Sequence, residues 1–176
     1  MFRSGFYFSF IPWEAQRFVL LVVLFSTAVL PMLAVALLAM KPGFDLSMEK
    51  KSDRLMVFLF TAAFHYLGFV LLNRAQVYPV FKILLIASAL VVIALLFVSL
   101  KWKISSHMAA LGSLSGAFFT LAFRTGINPI PALILLVVVS GLTGSARIML
   151  AKNSLVQLIS GYLLGLLILS LVVSFV

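Results

Sequence analysis

Two short stretches hold most of the side chains in this sequence whose types and spacing can do chemistry. The first, Lys101-Trp-Lys-Ile-Ser-Ser-His107, brings Lys101, Lys103, Ser105, Ser106 and His107 together. The second, GSARIMLAKNSLVQLISGYLLG over 144–165, carries Arg147, Lys152, Asn153 and Gln157. Both sit where one apolar run ends and the next begins. Ser105 or Ser106 is a natural N-cap for the following helix, whose free N–H groups and dipole favour an anion. Arg147 can grip two phosphate oxygens with its planar fork. His107 can donate a proton to a leaving oxygen. Asn153 and Gln157 are four apart, so on a helix they share one face and can hydrogen-bond to a bound group. Taken singly, a cation at the end of a membrane helix merely snorkels to the head groups. Taken together, these residues describe an anion pocket at a membrane surface, suited to a phosphate carried on a lipid tail.

The rest of the composition supports a membrane setting. The chain has 176 residues, 64% hydrophobic and 10% charged. A soluble domain carries about 25% charged residues, so this chain lacks the polar surface to meet water on every side. Its net charge is +9, with the cations placed singly at helix ends, which fits anionic lipid head groups better than nucleic acid. There is no Gly-rich phosphate loop to hold a nucleotide. Cysteine is absent, which removes disulfides, thiol chemistry and Cys-based metal sites. Two histidines on separate helices and four carboxylates near the loops of the first half leave no expected metal site, and no cofactor is expected.

The elements that must position the two clusters are six apolar runs: 18–40, 55–72, 80–100, 108–123, 130–146 and 155–176. Each is long enough for a membrane-spanning helix, which needs about 20 residues, or fewer when partly buried in protein. The expected fold is an all-α integral membrane protein, one six-helix bundle over 1–176. Residues 1–17, with Tyr7 and Trp13, read as an interfacial segment. Pro31 should kink the first helix. The loop 41–54 is the one strongly polar stretch. The fourth run is crowded with small residues, among them Gly112, Ser113, Ser115 and Gly116, which marks a helix central to the bundle. Six spans put both ends on one side. The positive-inside rule counts five cations on that side against eight on the other. Four of the eight belong to the two clusters, so charge alone leaves sidedness open.

The two clusters resemble motifs of the type 2 phosphatidic acid phosphatases, six-helix membrane enzymes that dephosphorylate lipids. That family's second motif, P-S-G-H, opens its fourth helix; here the stretch reads Ile104-Ser105-Ser106-His107. Its third motif, S-R-x-x-x-x-x-H-x-x-x-D, precedes a Gly-rich sixth helix. Here Ala146-Arg147 is followed at the same spacing by Asn153 and Gln157, then by Gly161 and Gly165. The likeness covers the last three helices and extends to the first three by helix count. It is closest in kind to the short bacterial members. It implies the six-helix fold, a bacterial inner membrane location with both termini cytoplasmic, and a phosphate site at these residues.

The departures decide the functional expectation. The family's first motif, K-x-x-x-x-x-x-R-P, is missing, although Lys101 and Lys103 lie in its neighbourhood. In the family the third-motif His attacks phosphorus and the Asp orients it; those positions are Asn153 and Gln157 here. A carboxamide is neither nucleophile nor base near neutral pH. Neither His107 nor His65, in the second span, has an evident carboxylate partner that would make it the nucleophile; Glu49 and Asp53 lie in another loop. The expectation is a phosphatase-like protein that keeps a lipid-phosphate site formed by Lys101, Lys103, Ser105, Ser106, Arg147, Lys152, Asn153 and Gln157. It has little or no activity, and His107 is its one candidate acid. Two alternatives stand beside it: a structural subunit bound to other membrane proteins through glycine-spaced faces (Gly112/Gly116, Gly161/Gly165), and an active phosphatase with a divergent mechanism.

Overall fold

In the computed structural model, described for residues 13–44, 50–75, 79–126 and 128–175, the protein is all-helical, with no strand among the described residues. The elements are α1 (Trp13–Leu24), a π-helical turn (Phe25–Val29), α2 (Leu30–Ala39), α3 (Lys51–Arg74), α4 (Pro79–Ser99), α5 (Ser106–Thr125), α6 (Ile130–Met149) and α7 (Leu155–Phe175). Among the described residues six helical stretches are long and apolar enough to cross a membrane, with α1, the π turn and α2 forming the first over Gln16–Ala39. This is the architecture of a multi-pass membrane protein. Tyr7 lies outside the described residues, whereas Trp13 and Arg17 belong to α1, with the Arg17 guanidinium 5.8 Å from the Trp13 ring centre. Packing divides the chain into two compact units, Ile11–Trp102 and a second containing Lys103–Val176.

In the first unit the break foreseen at Pro31 takes the form of the π turn. Proline has no N–H to give the carbonyl four residues back and its ring crowds that carbonyl, so the helix widens just before it. Ser26 and Thr27 inside the turn donate to the Val23 carbonyl, at 3.3 and 2.7 Å. The buried Ser26 side chain lies where a Cβ on Gly68 of α3 would sit, so glycine there allows the close approach. Val19, Val22, Leu72 and Leu85 form the core beside them. α3 begins at Lys51, four residues before the apolar run, because the backbone ladder needs no apolar side chain to continue. Asp53 in its first turn suits the positive end of the helix dipole. Arg54, one residue on, is buried, and its Nη2 donates to the Ser99 carbonyl in the last turn of α4 at 3.1 Å. A cation at that carbonyl-rich end is favourable. His65 is buried with Nδ1 2.8 Å from the Thr61 carbonyl, a contact within its own helix.

The second unit is organised around α5 and α7. The glycines on each helix meet the backbone of the other. A Cβ on Gly112 would strike the Tyr162 carbonyl, and one on Gly165 the Ala109 carbonyl. Gly161 would meet the Ser105 carbonyl at 2.6 Å, and Gly116 the Leu166 carbonyl at 2.7 Å. Small residues let membrane helices approach until their backbones touch, and dispersion over that contact holds them. Along the seam Ser113 donates to the Ala109 carbonyl at 2.8 Å and the Tyr162 hydroxyl to Ser115 Oγ at 2.8 Å, while the buried Ser170 Oγ, facing Gly116, has no hydrogen-bond partner among the described residues. α6 packs more lightly and exposes Ile134, Leu135, Val137, Val138 and Leu142. The turn before it runs through Gly126, whose φ of 68° ends α5, and Asn128, whose Oδ1 accepts from the Ile130 N–H at 3.0 Å.

Candidate functional site

The end of α6, the start of α7 and the start of α5 bring four of the expected residues together. α6 continues through Met149, so Arg147 stands in its last turn. The helix closes with two backbone bonds, Lys152 N–H to the Arg147 carbonyl at 3.0 Å and Ala151 N–H to the Ile148 carbonyl at 2.9 Å. That is the Schellman pattern, and it holds its penultimate residue in the left-handed region. The residue is Ala151, with φ 51°, where glycine is the usual occupant. The turn swings Asn153 back toward the helix it has just left, so that Asn153 Oδ1 accepts from Arg147 Nε at 2.7 Å.

From there the hydrogen bonds run in a fixed direction. Asn153 Nδ2 donates to Gln157 Oε1 at 3.1 Å, and the same oxygen accepts the Ser154 N–H at 3.1 Å. Ser154 Oγ in turn accepts from the Gln157 N–H at 3.4 Å. Ser154 and Gln157 are therefore a capping box at the start of α7, each side chain satisfying a backbone donor of the other. At the other end of the chain of bonds, Arg147 Nη1 lies 3.2 Å from His107 Nδ1. A guanidinium has no acceptor. His107 Nδ1 must then offer its lone pair, so the ring is neutral and carries its proton on Nε2. In this arrangement His107 is a hydrogen-bond donor at Nε2 and has no acidic proton to deliver, unlike the general acid expected from the sequence.

The remaining expected residues separate into several roles. Ser105, not Ser106, is the N-cap of α5: its Oγ takes the Met108 N–H at 3.5 Å. Its side chain is buried at 1% exposure, and its N–H donates to the Gln157 carbonyl at 3.3 Å, fastening the start of α5 to α7. Ser105 is thus a structural residue within this arrangement. Ser106 is half-buried in the first turn of α5. Lys103 and Lys152 are half-buried, while His107 is exposed and Asn153 is buried. Lys101 belongs to the other unit, as does Asp53; Asp45 and Glu49 lie outside the described residues. Among the described residues no three His, Asp or Glu side chains gather to hold a metal ion.

One feature escaped the sequence reading, and a second, already visible there, gains its meaning from the fold. The Ser154-Leu-Val-Gln157 spacing is a recognisable capping signal, which places Gln157 in the helix start as well as in the site. The second feature is one of charge: no Asp or Glu occurs anywhere after Asp53. Arg147 is therefore held in place by one amide and an imidazole, with no Asp or Glu in its unit to balance it.

The chain matches no protein-family model, no curated protein and no solved structure.

Proposed function

We propose that the protein is a phosphatase-like membrane protein that binds a phosphorylated or otherwise anionic group, such as a lipid head group, at Arg147 and does not hydrolyse it. The observation that carries this reading is a guanidinium oriented through Nε and Nη1 by Asn153 and His107, in a unit without any Asp or Glu. Those two bonds leave three guanidinium N–H groups for a ligand, both of those on Nη2 among them, to meet phosphate oxygens. Asn153 holds that cation, and Gln157 bonds Asn153 and caps the helix with Ser154. The two amides supply no nucleophile, so the chemistry supported is retention rather than turnover. The resemblance of 104–107 and 146–157 to the phosphatase motifs favours a phosphate, and implies a bacterial inner membrane with both termini cytoplasmic.

The test has two arms on the full chain in lipid nanodiscs. Phosphate release from a lipid phosphate monoester should not exceed the protein-free rate, while the lipid should bind and Arg147→Gln should abolish that binding. Robust turnover that His107→Ala removes would establish the divergent enzyme instead.

A second reading, a subunit of a larger membrane assembly, draws on α6. Gly141 has open space where a side chain would stand and lies on an exposed face with Leu142 and Ser145. The glycines of α5 and α7 lend this reading less support, because they are occupied by each other. Co-purification of a stoichiometric membrane partner, lost on Gly141→Leu, would favour it.

A further inference from the structure

We propose that this site takes up its anion together with a proton, which His107 accepts at Nδ1. The proposal rests on the anion-binding reading above and adds the protonation that accompanies binding. It stands on the 3.2 Å contact between Arg147 Nη1 and His107 Nδ1 and on the charges around it. With no anion present, the Arg147 group bonded to His107 is a donor that needs the Nδ1 lone pair. The charged residues on the neighbouring elements are all cations: Arg147 on α6, Lys152 in the α6–α7 turn and Lys103 leading into α5. α7 contributes no charge, only Gln157, and the preceding turn only Asn153 besides Lys152. A proton placed on Nδ1 would set imidazolium against guanidinium with no Asp or Glu of that unit to offset them.

An anion changes that balance. Seated on the N–H groups that Arg147 leaves open, it draws the guanidinium toward its oxygens and frees the Nδ1 lone pair. The ring then gains a new N–H bond at Nδ1, with the proton supplied by water, and donates that hydrogen to the anion. No bond of the anion is broken and nothing is oxidised or reduced. The empty site holds neutral His107 and the filled site holds charged His107, so each bound anion carries one proton in. By linkage, affinity must then fall as pH rises, approaching about tenfold per pH unit where the free ring is neutral and the bound ring charged. A histidine that simply donated from Nε2 in both states would give no such slope.

The probes must not titrate themselves. Sulfate in solution and phosphatidylglycerol in nanodiscs both keep a constant charge between about pH 5 and about pH 8, the interval in which histidine changes charge. Binding of each to the full chain is measured by calorimetry in two buffers of different ionisation heat, with His107→Asn as the comparison. Asparagine keeps an acceptor near the Nδ1 position and cannot be protonated. The expected result is proton uptake and a falling affinity with pH in the wild type, and in His107→Asn weaker binding that shows neither. Coupled binding of sulfate alone assigns the site to a free anion, and coupled binding of the lipid alone assigns it to a head group; both support the proposal. Nitrogen-15 histidine spectra give a second readout that needs no variant. His107 should move from the Nε2–H neutral form to imidazolium on ligand addition at constant pH, while His65 stays unchanged. Binding that is independent of pH and buffer, or coupling that survives in His107→Asn, overturns the proposal and leaves the anion site standing. Failure of both probes to bind at any pH overturns the two together.

Discussion

Replacing Asn153 by Asp tests whether Arg147 recruits its anion because its own unit holds no Asp or Glu. The two side chains have the same shape, so Oδ1 can keep its 2.7 Å contact with Arg147 Nε while gaining a full negative charge. Unit charges about 4 Å apart attract by about 4 kcal/mol at the effective dielectric of a protein surface. Arg147 is half-exposed, and solvent screening reduces that to about 2 kcal/mol. An incoming anion then has to compete with an internal one, so its affinity should drop about 30-fold. The fold should tolerate the change. The new Oδ2 would face Gln157 Oε1, where Asn153 Nδ2 now donates at 3.1 Å, and losing that bond costs about 1 to 3 kcal/mol, of the same order as the ion pair gained. The measurement is sulfate and phosphatidylglycerol binding to Asn153→Asp beside the wild type, with thermal unfolding in the same detergent. If the variant folds normally and binds with undiminished affinity, the idea that an unbalanced Arg147 is the binding determinant is refuted.

Other substitutions report on the framework. Gly165→Ala should destabilise the α5–α7 pair by about 1 to 3 kcal/mol, because its Cβ meets backbone that cannot rotate away. Gly141→Ala, facing open space, should be neutral or slightly stabilising; parallel thermal unfolding of the two variants makes the comparison. Ala151→Gly should raise stability by about 0.5 to 1 kcal/mol, since it relieves a left-handed alanine that costs about 1 to 2 kcal/mol while adding freedom to the unfolded chain. A lowered melting temperature would contradict the assigned turn. Arg54→Ala should destabilise the first unit by about 1 to 3 kcal/mol through the uncovered Ser99 carbonyl and leave anion binding unchanged, which separates the two arginines by function.

The number and order of the membrane helices were legible because each is an apolar run bounded by Pro, Gly or charge. Their ends were less so. α3 starts at Lys51 and α6 runs to Met149, since a helix stops where its backbone bonds are capped, not where its side chains turn polar. Glycine spacing identified Gly112, Gly116, Gly161 and Gly165 as contact points, but not that they serve each other; spacing states what a face can accept, and only the folded chain names the partner. At the site, the grouping of His107, Arg147, Asn153 and Gln157 was readable from motif spacing. The direction of every hydrogen bond in it was not. That direction follows from Ala151, a residue with no turn signature of its own, which bends the chain so that Asn153 returns to Arg147. Arg54 read as a loop cation, and its burial depends on the end of a helix 45 residues later.

The intimate contact of α5 with α7 also sets an order of events during synthesis. α5 is the least apolar of the six spans and carries Ser113, Ser115 and Thr120 as buried groups. Its close partner is separated from it by the whole of α6. Until Leu155 and the residues beyond it leave the ribosome, the glycine notches of α5 that receive α7 stay unfilled. A chain that stops before α7 should therefore be a degradation substrate although five of its spans are complete, and α7 supplied as a separate peptide should protect it.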